Sequence, residues 1–486
     1  MLNTEFILIL IYLLILPLIG LYAKSQMQEV SMREYYLAGG RLFLIPLIFT
    51  FYATQYSGNT LFGIAGKGYR DGPLLLFALV PGMMFSVVIL KLIAKKLYYL
   101  SHKKQFITII DFFNYRYNNQ RFSTFLNVLF ILVLLSYVLT NFKAIGLLIS
   151  NVSEGSLSPS ISILIMAFFM AAYESIGGMR GVVITDTLQG GMLMLGCGLI
   201  FFSTISYFEN GFDLFKKVYF LAAHNSIESW KSFDLKGLVY IISVWLLFAS
   251  TCVYPHAIQR IYSAKNWKIL KKSLSVILWL PLITTLPIVL ISLVSHIILP
   301  PASVIESDRI ILYVIEQLSK DFPLTSIILA SFTTIVSAAI MSTMDSAMLS
   351  VNASIINDII RPYFTSLSNQ KLTNYGKILS WVLILGTAGL AILLPQSIWS
   401  ILVIKLEIML QIVPALVAGL LFPNVSTKSI STGLYCGILT TIFLLIITKW
   451  SDLPIDLYGF HEGVIGFFIN VATILWTEKY RKPYLK

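Results

Sequence analysis

The sequence predicts an all-α, polytopic membrane protein, on three observations: an apolar composition, apolar runs of membrane-spanning length, and an alternating distribution of basic residues between them. Of its 486 residues 57% are hydrophobic and 12% are charged, where a soluble globular chain carries roughly 25% charged residues. A chain so poor in charge cannot cover its apolar surface in water. About thirteen runs are long enough to cross a hydrocarbon core of about 30 Å as helices, and only helices or closed barrels satisfy their own backbone there. The runs lie at 5–24, 43–66, 73–97, 122–150, 157–177, 183–207, 236–258, 270–298, 322–354, 375–394, 397–421, 431–449 and 458–477.

The first run, 5–24, is preceded by no basic segment and is too long for a cleaved leader, so it reads as a retained helix. Basic residues then assign the sides, because cytoplasmic loops collect Lys and Arg. Lys95, Lys96, Lys103, Lys104, Arg116 and Arg121 cluster after the third run, and Arg260, Lys265, Lys268, Lys271 and Lys272 around the seventh. Lys479, Arg481, Lys482 and Lys486 close the chain. With the N-terminus outside, about 24 of the Lys and Arg fall inside and about 9 outside, which places the C-terminus in the cytoplasm. The net charge of +12 is thus a topology signal that requires no nucleic-acid partner. No stretch between runs is long enough for a soluble domain, so 1–486 reads as one transmembrane unit. Segments 210–222 and 305–318 carry apolar residues at helical spacing and are either short surface helices or ordered loops.

Inside the spans the polar residues are informative, since ionisable groups in a membrane are costly and face a cavity or a partner. Five stand out: Lys143, Asp186, Asp345, Lys405 and Glu407. Two spans are interrupted, one by the polar segment Ala53 to Thr60 and one by Ser250-Thr251 followed by Tyr254-Pro255-His256. Paired interrupted helices are the sequence mark of a transporter site, where unwound carbonyls bind cations. In the ninth run, Ala339, Ser342, Asp345 and Ser346 fall on one helix face, a column of oxygens of the kind that hard cations take as ligands. Such hydroxyls also bond back to carbonyls or join helices, but the Asp345 carboxylate needs a partner of its own. Asp186 is either a helix cap or part of a further cation site. Cys197, Cys252 and Cys436 all lie in spans and read as small packing residues. The five histidines show no metal-ligand spacing, and neither His-Glu-x-x-His nor Gly-x-Ser-x-Gly occurs, so no enzyme and no cofactor are expected.

At these residues the chain resembles the sodium:solute symporter family, which includes proline, pantothenate, sialic acid and sugar carriers. The resemblance rests on Glu34 to Arg41, Gly63 to Gly72, Gly177-Gly178-Met179-Arg180 with Thr185-Asp186, Pro255-His256 with Arg260, and Ala338 to Ser346. It implies the inverted-repeat fold of the leucine transporter: an extra first helix, a first repeat over about 43–207, a second over about 236–421, and two terminal helices within 431–477. The first and sixth core helices are then the broken ones. It implies a sodium site made of the carbonyls of Ala53, Tyr56 and Ala339 and the hydroxyls of Ser342 and Thr343. A further sodium site found in some members maps to Asp186, Ser342, Asp345 and Ser346. Members usually carry a small polar residue where Asp345 stands, which leaves a second sodium, a proton or a salt bridge open.

By position in that fold the solute candidates are Gln55, Ser57, Asn59, Asn141, Lys143, Thr251, Tyr254, Glu407 and Gln411. Lys143 either pairs with a solute carboxylate, as a basic residue does in sialic acid carriers, or snorkels to the surface. Glu407 and Gln411 share a face and either touch the solute or join helices. Gln55, Leu247 and Thr251 replace an acid and two aromatics of the proline carriers, so proline is disfavoured; Tyr254 to Lys265 and Gly459-Phe460-His461 are similar to pantothenate carriers. The expected activity is sodium-coupled import of an amino acid or carboxylate across the cell membrane. The alternatives are a proton-coupled carrier of the same fold and a membrane solute sensor. The partners are the solute, Na+ and the bilayer, and the chain is a monomer or weak oligomer.

Overall fold

The computed structural model of the protein describes residues 4–56, 63–153, 155–206, 213, 216–220, 231–299, 310–321, 325–364, 366–393, 398–450 and 456–480. The described chain is helical, with one isolated parallel bridge between Leu42 and Ala264 as its only extended pairing. In order, the helices are α1 (Thr4–Ser25), α2 (Met32–Leu37), α3 (Leu44–Gln55), α4 (Ile64–Asp71), α5 (Leu74–Lys104), α6 (Ile109–Tyr117) and α7 (Gln120–Val152). Then follow α8 (Pro159–Ser206), α9 (Leu235–Ala249), α10 (Pro255–Ser263), α11 (Trp267–Ile277), α12 (Leu280–Ile298) and α13 (Ile310–Asp321). The last are α14 (Thr325–Ser354), α15 (Asn369–Leu393), α16 (Ile398–Leu410), α17 (Val413–Leu421), α18 (Thr427–Trp450) and α19 (Glu462–Lys479).

Ten helical stretches among the described residues are long and apolar enough to cross a membrane. One of them, α8, contains 48 residues and takes up two of the sequence runs. The interrupted run 43–66 and the last run fall outside that measure. Burial orders the bundle: the apolar window of the Thr334–Tyr363 stretch is 100% buried, whereas that of Ile7–Ser25 is 28% buried. α14 is therefore the axis of the molecule and α1 a peripheral helix.

Local chemistry explains the breaks. α3 ends at Gln55, and Tyr56 is extended at φ −110°, ψ 109°. In the second broken span, a tight turn at Ser250–Val253 precedes Tyr254, which is extended at φ −61°, ψ 125°. Pro255 imposes that geometry, because a proline ring pushes the residue before it out of the helical region while its own fixed φ suits the first turn of a new helix. The bonds from Leu42 N to Ser263 O (2.9 Å) and from Lys265 N to Leu42 O (3.0 Å) then tie the end of α10 to the start of α3.

α8 bends at Gly178, where φ is +51° and ψ −149°. Arg180 bonds Glu34 of α2, and Tyr35 Oη donates toward the carbonyls of Glu174 (3.3 Å) and Ser175 (3.4 Å). The two glycine-containing motifs of the sequence thus pack on each other, α2 against the bend. A Cβ at residue 178 would stand 2.7 Å from Tyr35 O. Gly178→Ala combines that clash with a positive φ, so it is expected to cost about 2 kcal/mol or more, seen as a lowered thermal midpoint of the detergent-purified protein.

Candidate functional site

α3 stops in the middle of the bundle, so its last carbonyls lack helical N–H partners and turn toward α14. Ser342 Oγ lies 3.2 Å from Ala53 O and 2.9 Å from Ala339 O. Thr343 Oγ1 lies 3.1 Å from Ala53 O, 3.4 Å from Tyr56 O and 3.2 Å from Ala339 O. All five groups are buried. Three carbonyls and two hydroxyls bring only two protons to these contacts, so the set carries spare lone pairs directed at one another. A cation that holds oxygens at roughly 2.3–2.6 Å has ligand-to-ligand edges of about the observed length. The arrangement is an all-oxygen cradle for a small hard cation with no carboxylate in it.

One helix turn further along α14 the chemistry changes. Arg260 of α10 and Asp186 of α8 are both 0% exposed, with Nη2 3.3 Å from Oδ2. Thr50 of α3 donates to the same Asp186 oxygen at 2.5 Å, and Arg260 Nε donates to Thr50 Oγ1 at 3.2 Å. Arg260 also donates to Ser346 Oγ of α14 and, at 3.3 Å, to His256 O. A guanidinium therefore stands on two, Asp186 and Ser346, of the three side chains that the family resemblance groups with Ser342 into a second cation site. The third, Asp345, is buried, and neither of its carboxylate oxygens has a hydrogen-bond donor among the described residues. Beside the two acids lies Tyr12 of α1, whose hydroxyl accepts from Gln189.

The sequence of residues 35–440 matches the profile of the sodium:solute symporter family. The chain belongs to that family. It is similar to a sodium/proline symporter 2 of Staphylococcus saprophyticus, at 24% identity over 98% of this chain and 93% of the relative. It is also similar to a sodium/pantothenate symporter of Haemophilus influenzae, at 24% identity over 90% and 89%. Among solved structures, a substrate-bound, outward-open Na+-coupled sialic acid symporter superposes with TM-score 0.77 and 19% identity over 99% of this chain and 98% of that one. The fold is that of these inverted-repeat transporters, and sodium-coupled symport is the activity that the family carries.

Within the symporter the solute candidates separate. Tyr254 is buried at the second break and Asn141 is buried on α7; Asn141 Nδ2 donates to Tyr137 O at 2.8 Å and its Oδ1 has no donor among the described residues. Gln55 and Thr251 are partly exposed at the breaks. Ser57 and Asn59 lie outside the described residues. Lys143 is two residues past Asn141 and so faces away from the Tyr137–Asn141 row of α7. Glu407 and Gln411 turn toward α19: His461 Nδ1 lies 3.5 Å from Glu407 Oε1, and Gln411 Nε2 donates to Gly463 O at 2.7 Å. Glu407, His461 and Glu462 bring their ligand atoms within 4.8 Å of one another; spacing could not reveal this group, because Glu407 is remote from the other two in sequence.

Lys405 is the residue that sequence reasoning noticed but left without a role. It is 3% exposed, and its ammonium sits 3.3 Å from the ring centre of Tyr137 and 5.0 Å from that of Tyr254. The available signal was its charge inside a span, together with its place two residues before Glu407, which sets it on another helix face.

Proposed function

We propose that this symporter imports a small organic solute of the amino acid or carboxylate class, driven by sodium bound at Ala53, Tyr56, Ala339, Ser342 and Thr343. The observation that carries the reading is the five-oxygen cradle between the broken α3 and α14. Its oxygens come from two helices, so a bound cation holds them together and its departure frees them, which is the property a coupling ion requires. The basic clusters near α5 and α11 support a cytoplasmic C-terminus and an external N-terminus, in a cell membrane. The Arg260 guanidinium supplies fixed positive charge beside Asp186 and Ser346, which favours a single sodium per solute.

Proteoliposomes test the reading. Purified protein should accumulate a labelled solute only under an inward sodium gradient, with a Hill coefficient for sodium near 1. Accumulation that follows a proton gradient and ignores sodium would overturn it. The Asp345→Asn variant should keep that sodium dependence, because the cradle does not include Asp345; a Hill coefficient falling from about 2 to about 1 in this variant would instead place a second sodium on the carboxylate.

A further inference from the structure

Lys405 has no carboxylate partner among the described residues. The nearest acid on its own helix, Glu407, turns to His461. What surrounds the ammonium is aromatic: Tyr137 of α7 at 3.3 Å and Tyr254 at 5.0 Å. The His256 ring lies 5.2 Å from that of Tyr254 and 6.4 Å from that of Tyr137. Ring faces stabilise a cation, but they do not neutralise it, and an ionisable side chain in a membrane bundle points to a functional role. The cage thus holds a positive charge in place while leaving its partner to be supplied.

A second, independent feature points to the same place. Tyr254 is the N-cap of α10, and it makes no side-chain capping bond. The first amides of a helix lack intrahelical acceptors, and an uncapped helix N-terminus attracts anions. Both nitrogens of the His256 ring, in the first turn of α10, and Ser250 Oγ, in the tight turn before it, are buried without hydrogen-bond partners among the described residues, as is Asn141 Oδ1, one helix turn from Tyr137 on α7. A helix end, a caged ammonium and spare polar atoms therefore converge on the second break. One ammonium and one helix end match one negative charge better than two.

We propose that Lys405, held between Tyr137 and Tyr254 beside the first turn of α10, binds the carboxylate of the transported solute. The inference rests on the symporter reading and narrows it: α7, α10 and α16 each contribute to one anion-selective pocket, and Lys405, not Lys143, supplies its charge. Because the ammonium belongs to α16 and the helix end to α10, a bound carboxylate also draws those two elements together.

The test offers proteoliposomes an isotope-labelled bacterial extract under an inward sodium gradient and reads their contents by mass spectrometry. The accumulated solute is expected to carry a carboxylate, and its carboxamide to compete at least about tenfold less well, the effect of losing a charge-assisted hydrogen bond. In Lys405→Met the half-saturating concentration of the acid should rise about tenfold to a hundredfold and the preference over the carboxamide should disappear, while thermal stabilisation by sodium alone persists. Lys405→Arg, which keeps the charge, should retain the preference. Should the Met variant lack the sodium stabilisation that reports a folded cradle, Lys405→Gln takes its place. Accumulation of a solute without a carboxylate, or a neutral variant that takes up the acid with the wild-type half-saturation, overturns the proposal and leaves the symporter reading standing. An extract from which nothing accumulates counts against the symporter reading itself, and the proposal falls with it.

Discussion

Sodium affinity is expected to fall more than about a hundredfold in the double variant Ser342→Ala, Thr343→Val. Hydrogen bonds or ligand contacts to a charged group are worth about 1.5–3 kcal/mol each, and 1.4 kcal/mol is a factor of ten in affinity. Two adjacent ligands do not add fully, so a hundredfold is the lower end of the sum. The competing role for these hydroxyls is local: each also lies within bonding distance of Ala339 O on its own helix, at 2.9 and 3.2 Å, as hydroxyls in membrane helices commonly do. If that were their whole contribution, the variant would lose little, because Ala339 O already belongs to the helix ladder. Thr343→Val keeps the side-chain shape, so packing against α3 is preserved. The measurement is the sodium concentration that gives half-maximal uptake, paired with sodium-dependent thermal stabilisation. An unchanged value in both would remove the cradle from the coupling mechanism.

Two parts of the cradle, the break and the hydroxyl-bearing helix face, were legible in the sequence because each leaves a strong local mark; that Thr343 and the Ala53, Tyr56 and Ala339 carbonyls belong to it is what the family resemblance implied. A polar break in an apolar run and a face of hydroxyls at helical spacing can each be read without knowing the fold. The second break was equally plain, since Pro255 dictates the backbone at Tyr254. What the sequence did not carry was partnership across helices. It showed that Lys143, Asp186, Asp345, Lys405 and Glu407 were costly, but the neighbour that compensates each one is set by the rotation of the packed helices. A rotation of α16 by two residues, about 200°, would carry Lys405 into the surroundings of Glu407. For the same reason the sequence did not show that Glu407 lies 3.5 Å from His461 or that Gln411 donates to Gly463 O. The bend in α8 was hidden differently: the runs 157–177 and 183–207 suggest two helices with a connection, yet Gly178 alone turns the chain with scarcely a break in the helical pattern.

Arg260→Gln is expected to destabilise the protein by about 3–5 kcal/mol, the usual cost of leaving one member of a buried ion pair without the other. Arg260 and Asp186 are both fully buried, so removing the guanidinium strands a carboxylate in the core. The loss extends beyond one pair, because this single side chain joins α10 to α3 through Thr50, to α8 through Asp186 and to α14 through Ser346. Asp186→Asn should cost a comparable amount, since it strands the guanidinium. The double variant should cost much less than the sum of the two, and that coupling energy, from denaturation in detergent, isolates the pair from the general effect of mutating a core residue. The Gln variant also bears on why one family motif carries an arginine at this place. With the guanidinium gone, Asp186 and Ser346 become oxygen ligands facing a cavity of about the right polarity for a cation. High sodium should then stabilise Arg260→Gln more than it stabilises the wild type, by the mass-action term for a second bound ion. Equal stabilisation of the two would mean that Arg260 holds helices together without standing in for an ion.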